Sequence, residues 1–99
     1  MTIDIQYVQM PTSESMSNFV TEKLKKIASK YDWLIRAEVF FKLENDRSGK
    51  GKVCEIQLSA PGPRLFAKAT DVKFDKAAIK TIHELEKQLS KRKEAFSHH

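Results

Sequence analysis

The side chains best placed for chemistry in this sequence are lysines and arginines near its C-terminal end. If residues 75–93 form a helix, four lysines fall within about 60° of one another, opposite the apolar residues. They are Lys76, Lys80, Lys87 and Lys91. Lys91-Arg92-Lys93 adds a basic run at the end of the helix. Cationic groups on a rigid helix can neutralise several phosphates at once, so the pattern indicates binding to a polyanion such as nucleic acid.

The same stripe has a simpler interpretation, in which it is only the solvated side of an amphipathic helix. The side opposite a core is always in water, and cations are favoured near a helix C-terminus. Glu84 and Glu94 lie on or near the stripe and reduce its net charge. The spacing alone leaves both interpretations open.

A second basic cluster falls on the helix expected over residues 14–31. Lys23, Lys26 and Lys30 share one shoulder of its apolar face, beside Phe19. Their stems could simply cover the edge of the core while the ammonium groups reach water. No carboxylate of this helix lies on that shoulder, so the three like charges repel one another unless an anion binds. If both helices lie on one face of a sheet, we expect the two clusters to join.

Residue sets typical of catalysis or metal binding are not apparent. Cys54 occupies an inward strand position typical of a small core residue. His83, His98 and His99 lack the spacing of a metal site. The three glycines form no phosphate-binding loop. We therefore predict a protein that is not an enzyme and that uses neither a cofactor nor a metal.

Aromatic side chains could stack RNA bases, but their placement favours packing roles. Phe40 and Phe66 fall on the outward side of the predicted sheet, on different strands, and we expect them to cover each other. Trp33 follows the first helix and is expected to fill the corner between that helix and the next strand.

Length and composition predict one small domain in a reducing compartment. The chain has 99 residues, 40% hydrophobic and 31% charged, with a net charge of +5. Residues 64–99 hold nine basic and five acidic side chains, so most of the excess charge lies there. A single cysteine excludes an intramolecular disulfide, and neither a signal peptide nor an apolar run of ~20 residues is visible. We predict a cytoplasmic domain over residues 1–97, with His98 and His99 as a frayed tail.

Hydrophobic periodicity predicts the elements that position these side chains. Alternation indicates four strands and spacings of three and four residues indicate two helices, in the order β-α-β-β-β-α. The strands are expected over residues 2–9, 35–43, 54–60 and 65–69, and the helices over 14–31 and 75–93. Ser13 is a plausible N-cap. We predict a two-layer α+β fold: a right-handed β-α-β unit and an antiparallel meander form a four-stranded mixed sheet with both helices on one face.

Several segments, in order and over nearly the full length, resemble one known family. They are Ile3-Asp4-Ile5-Gln6, Ser13-Glu14, Phe19-Val20 with Lys23-Leu24, Lys30-Tyr31-Asp32, Val39-Phe40-Phe41-Lys42-Leu43-Glu44, and Leu85-Glu86-Lys87-Gln88-Leu89 with Lys91-Arg92-Lys93. The chain resembles the ribosome hibernation-promoting factor family, also called ribosome-associated inhibitor A or sigma-54 modulation protein. It differs at Glu84, where many members carry a base, and it lacks their Asp-x-Tyr before the second helix. The resemblance implies a fold related in shape to double-stranded RNA-binding domains.

The resemblance also implies a function. Members bind the small ribosomal subunit in the channel between head and body, over the messenger and transfer RNA sites, and inhibit translation in stationary phase or stress. Matching RNA-binding positions, with those added by the helical wheels, are Lys23, Lys26, Lys30, Lys76, Lys80, Lys87, Lys91, Arg92 and Lys93. The chain ends after the second helix, as in the short form of the family, which lacks a C-terminal dimerisation domain. We expect a monomer when free, with ribosomal RNA as partner and no membrane or small-molecule substrate.

Two other functions fit the same residues. A general double-stranded RNA-binding module would use the basic surface on any duplex. A regulatory domain that binds another protein would leave that surface merely solvated.

Overall fold

The computed structural model describes residues 1–97 and has the predicted order of elements. The elements are β1 (Thr2–Tyr7), α1 (Glu14–Lys30), β2 (Arg36–Leu43), β3 (Lys52–Ser59), β4 (Leu65–Asp71) and α2 (Phe74–Ser97). The strands form one mixed sheet in the order β1-β2-β3-β4. β1 runs parallel to β2, and the other neighbours are antiparallel. The α+β class is therefore confirmed, whereas His98 and His99, the expected tail, lie outside the described residues.

Both helices pack on the same face of the sheet around one core. The alternate strand residues that point to this face are buried, as at Val39 and Ile56. Leu24 of α1 and Leu85 and Leu89 of α2 are also fully buried, as helical periodicity predicted. The lysine-rich sides of the helices are thereby directed away from the sheet.

The start of α1 is fixed by local hydrogen bonds. The Ser13 hydroxyl accepts a bond from the Met16 backbone N–H at 3.2 Å, which is the predicted N-cap. The Tyr7 hydroxyl at the end of β1 donates to the Ser13 carbonyl oxygen at 2.7 Å. This bond links β1 directly to α1, and so helps to set where the lysines of α1 point.

Most element ends differ from the prediction by one or two residues, and the end of α2 differs by four. β2 begins one residue late, and Ile35 and Leu43 are both 60% exposed because they lie beyond the ends of the core. α2 does not fray after Lys93 but continues to Ser97. The ring of Phe96 packs edge-on against Trp33, with 5.0 Å between centroids, and this contact holds the last turn. Trp33 thus fills the helix–strand corner as predicted.

The outer face of the sheet carries charges that pair with one another. Arg36 bridges Asp4 and Glu38 at one end. At the other end the Lys42 ammonium lies 2.6 Å from the Glu55 carboxylate. The ammonium of the neighbouring Lys68 lies 2.9 Å from the Glu44 carboxylate and 3.8 Å from that of Glu55. The hydrogen bond from Lys68 to Glu44 also raises the pKa of Lys68. This face is therefore close to neutral and largely satisfied by its own ion pairs.

The expectation that Phe40 and Phe66 cover each other is wrong. Phe40 lies on β2 opposite Glu55, and Phe66 lies on β4 opposite Gln57, with β3 between them. Neither ring takes part in the aromatic pairs found among residues 1–97. Phe66 remains 48% exposed. Alternation placed both rings on the correct face, but the strand order separates them.

The free edge of β4 is bonded to side chains of α2. The Gln88 amide donates to the Phe66 carbonyl oxygen at 2.8 Å. The Lys80 ammonium donates to the Thr70 carbonyl oxygen at 3.4 Å. Two carbonyls of this edge strand are thus occupied from within the chain.

Candidate nucleic-acid interface

The three lysines on the shoulder of α1 border a groove between α1 and α2. The groove has a volume of about 210 Å³, and Lys23, Lys26 and Lys30 line its α1 side. The Lys23 ammonium lies 5.6 Å from the centroid of the Phe19 ring, a cation–π contact. None of the ion pairs described for residues 1–97 includes any of the three. The predicted trio of unpaired cations therefore exists in the fold.

The opposite wall of the groove comes from α2, through Ile79, Ile82, His83 and Glu86. The sequence of α1 places no carboxylate beside these three lysines, but the packing of the helices brings Glu86 of α2 to the other side of the groove. No ion pair within 4 Å joins Glu86 to the lysines in the described part of the chain. These four residues were missed as site residues. A helical wheel can place them beside the buried face of α2, but it cannot show which side of α2 packs against α1.

The predicted stripe on α2 keeps three exposed lysines. Lys76 and Lys91 are exposed and take part in no ion pair described for residues 1–97. Lys87 lies 3.6 Å from Glu84, but its side chain is 74% exposed, and pairs of this kind are weak. These cations remain available to a polyanion.

Lys80 is engaged by the sheet instead of standing free on the stripe. Its ammonium lies 2.7 Å from the Asp71 carboxylate at the end of β4. The hydrogen bond from Lys80 holds the pKa of Asp71 below its usual value. The helical wheel placed Lys80 with Lys76, Lys87 and Lys91, but it could not reveal this partner from another element.

The basic run at the end of α2 divides between different contacts. The Arg92 guanidinium donates to the Pro61 carbonyl oxygen at 3.2 Å and lies beside Gly62, whose φ of +94° forms the turn before β4. The Lys93 ammonium lies 5.9 Å from the centroid of the Tyr31 ring. The sequence indicated one basic cluster, whereas the structure uses Arg92 and Lys93 in packing contacts.

Helical spacing relates two lysines of α2 to the groove. Ile79 and His83 face the groove, and they follow Lys76 and precede Lys87 by about one helical turn. Residues three and four apart lie near one another on a helix, so Lys76 and Lys87 are neighbours of the groove-lining residues of α2, although neither lines the groove itself. The helical layer therefore presents lysines from both helices, while the opposite face of the sheet is neutralised by its own carboxylates.

Comparison with known proteins agrees with this architecture. A family model described as "Sigma 54 modulation protein / S30EA ribosomal protein" matches residues 3–96. The chain belongs to this family. Members of the sigma 54 modulation protein / S30EA family are ribosome-associated, and the family is not a known class of enzyme. A search of curated proteins found no match.

Two solved structures show the same fold. A ribosomal subunit interface protein from Coxiella burnetii superposes with a TM-score of 0.83 and 25% identity, over 94% of this chain and 98% of that chain. The N-terminal domain of Thermus thermophilus Protein Y superposes with a TM-score of 0.77 and 23% identity, over 92% of this chain and 98% of that chain. The second likeness shows the fold alone.

The remaining sites that the sequence raised give no second candidate. Within residues 1–97 no group of three His, Cys, Asp or Glu side chains is placed to hold a metal ion. No helix in the described chain has the length and apolar character needed to cross a membrane. The interface between α1 and α2 is therefore the candidate site that the charge distribution favours.

Cys54 is expected to be unreactive in the folded protein. Burial raises the pKa of its thiol to about 12. At about pH 7.5 roughly a tenth of an exposed thiol of pKa ~8.5 is ionised, whereas well under a thousandth of Cys54 is. Alkylation with iodoacetamide should be at least about a thousandfold slower in buffer than in denaturant. Equal rates in the two conditions would mean that the core opens freely.

Proposed function

We propose that this protein is a ribosome hibernation factor that binds the small ribosomal subunit in the channel between head and body. The observation that carries the proposal is the cluster of unpaired lysines bordering the inter-helix groove, in a member of a ribosome-associated family. Lysines of α1 and α2 would contact phosphates of ribosomal RNA. The predicted set is Lys23, Lys26, Lys30, Lys76, Lys80, Lys87, Lys91, Arg92 and Lys93.

The contacts in the structure separate lysines that can reach a phosphate freely from residues that must first break a contact. Lys26, Lys30, Lys76, Lys87 and Lys91 are exposed and need break no strong contact to reach a phosphate. Lys80 would first have to leave Asp71, and Arg92 would have to leave the Pro61 carbonyl. We therefore assign the larger share of the affinity to the first group and a supporting role to the second.

Inhibition requires only occupancy. Contacts to phosphates give affinity and position without reading sequence, and the shape of the channel then supplies specificity. A domain lodged over the messenger and transfer RNA sites excludes both, so no reaction, cofactor or small-molecule substrate is involved. The proposal places the protein in the cytoplasm, as a monomer when free, and active in stationary phase or stress.

Co-sedimentation with purified small subunits tests the proposal. We expect the protein to pellet with the subunits at low salt, to be released as salt is raised, and to stay bound in the presence of excess duplex RNA. Release by duplex RNA would instead favour a general double-stranded RNA-binding module. Absence from the pellet at low salt would leave a protein-binding domain as the remaining function.

A further inference from the structure

The groove between α1 and α2 has an apolar floor as well as charged rims. Ile27 and Ile82 are only 3% and 4% exposed, and Ile79, which also lines the groove, is half-buried. The volume of about 210 Å³ is below the ~300–1,000 Å³ of pockets for drug-sized ligands, yet it exceeds the ~30 Å³ of one water several times. A single flat ring is the kind of group that such a slot accommodates.

The charges around the floor define the rest of the ligand. The three lysines of α1 stand on one rim at spacings of three and four residues without a described ion pair, so an anionic group is favoured there. Glu86 on the opposite wall offers carboxylate oxygens, which accept hydrogen bonds and cannot donate them. A bare phosphate would leave the half-buried Ile79 uncovered, and a purely apolar ligand would leave the lysines without an anionic partner.

We propose that this groove binds one unpaired nucleotide of the RNA partner. The base lies mainly on Ile79, above the buried Ile27 and Ile82, and its phosphate contacts the lysines of α1. RNA-binding proteins take up unpaired bases from single-stranded loops, most often against aromatic side chains, and read their edges by hydrogen bonds. The inference rests on the proposed function, and it adds a specific base contact to a surface otherwise limited to phosphates.

Glu86 gives the groove a preference among bases. Its carboxylate can accept a hydrogen bond from the exocyclic amino group of cytosine, a pairing that acidic side chains make with this base. Uracil has no amino group at that position. We therefore expect cytidine to bind more tightly than uridine, and Glu86→Gln to remove most of that difference.

The test uses an oligocytidylate of about six nucleotides and the isoleucine methyl signals in NMR spectra. Saturable shifts at Ile27, Ile79 and Ile82 are expected with oligocytidylate and weaker ones with oligouridylate. Ile79→Ala removes apolar surface from the groove without changing any charge, and it should weaken oligocytidylate binding about fivefold because the base loses apolar contact area. Ile35→Ala, the same replacement at a 60% exposed site outside the groove, is the matched control.

Each outcome either supports the inference or overturns it. Shifts limited to lysine signals, or isoleucine shifts reproduced by inorganic phosphate alone, would mean an anion site without a base. Free cytidine monophosphate binding as tightly as the oligonucleotide would assign the groove to a free nucleotide instead of RNA. Retention of the unaltered protein on small subunits is measured in parallel. If it is retained while oligocytidylate leaves the methyl signals unmoved, the groove assignment alone fails, whereas lack of retention is a failure of the proposed function.

Discussion

Replacing Lys26, Lys30 and Lys87 with alanine is expected to lower affinity for the small subunit by about a hundredfold or more at about 0.1 M salt. Each lost phosphate contact removes roughly 0.7–0.9 from the slope of log affinity against log salt. Three contacts therefore reduce the steepness by about two to three. Filter binding or sedimentation at several salt concentrations measures both quantities.

The control for this triple variant is chosen to have the same change in net charge. Arg36, Lys42 and Lys68 lie on the outer face of the sheet, where each is already paired with a carboxylate. Their combined replacement by alanine should leave the salt slope nearly unchanged. A similar loss in both triple variants would mean that net charge, and not the helical surface, determines binding.

Phe41→Ala is expected to cost about 3–5 kcal/mol of the free energy of unfolding, the range typical for deleting a buried aromatic ring. Phe41 is fully buried, stacks on Tyr7 at 5.2 Å between centroids and meets Phe74 edge-on at 5.7 Å. Domains of this size have total stabilities of about 5–15 kcal/mol, so a large part of the total is lost. Urea denaturation followed by Trp33 fluorescence measures the change.

Phe66→Ala provides the comparison, because Phe66 is 48% exposed on the outer face of the sheet. Its replacement should change stability by about 1 kcal/mol at most. If Phe41→Ala does not fold, Phe41→Leu keeps most of the buried volume and should give a smaller, measurable loss. Losses of equal size at positions 41 and 66 would contradict the assignment of the two sheet faces.

The sequence predicted the order of the elements and the core correctly because both depend on local periodicity. Alternation in the strands and the helical spacing of residues such as Leu24 and Leu85 identified the core. The N-cap at Ser13 was predicted because serine is a preferred residue at that position. Partners from distant segments were not readable. The bond from Lys80 to Asp71 and that from Arg92 to Pro61 join separate elements, so no helical wheel could reveal them.

The groove itself depends on how two helices sit side by side. Sequence periodicity showed that Lys23, Lys26 and Lys30 share a shoulder of α1, whereas Ile79 and Glu86 of α2 were not identified as site residues. It could not show that these sets would face each other, because the contact side of each helix is fixed by its packing on the sheet. The expected contact between Phe40 and Phe66 failed for a related reason, since strand order is a property of the whole sheet.

The bonds from Gln88 and Lys80 to the carbonyls of β4 have a consequence for self-association. An edge strand with unsatisfied backbone groups can template strand addition by another molecule, which is a common route to aggregation. Here α2 occupies two of those acceptors and places a lysine along the edge. An edge occupied in this way is expected to discourage strand addition between copies of the folded protein. The same helix that faces the proposed RNA partner thus also occupies the edge of the sheet.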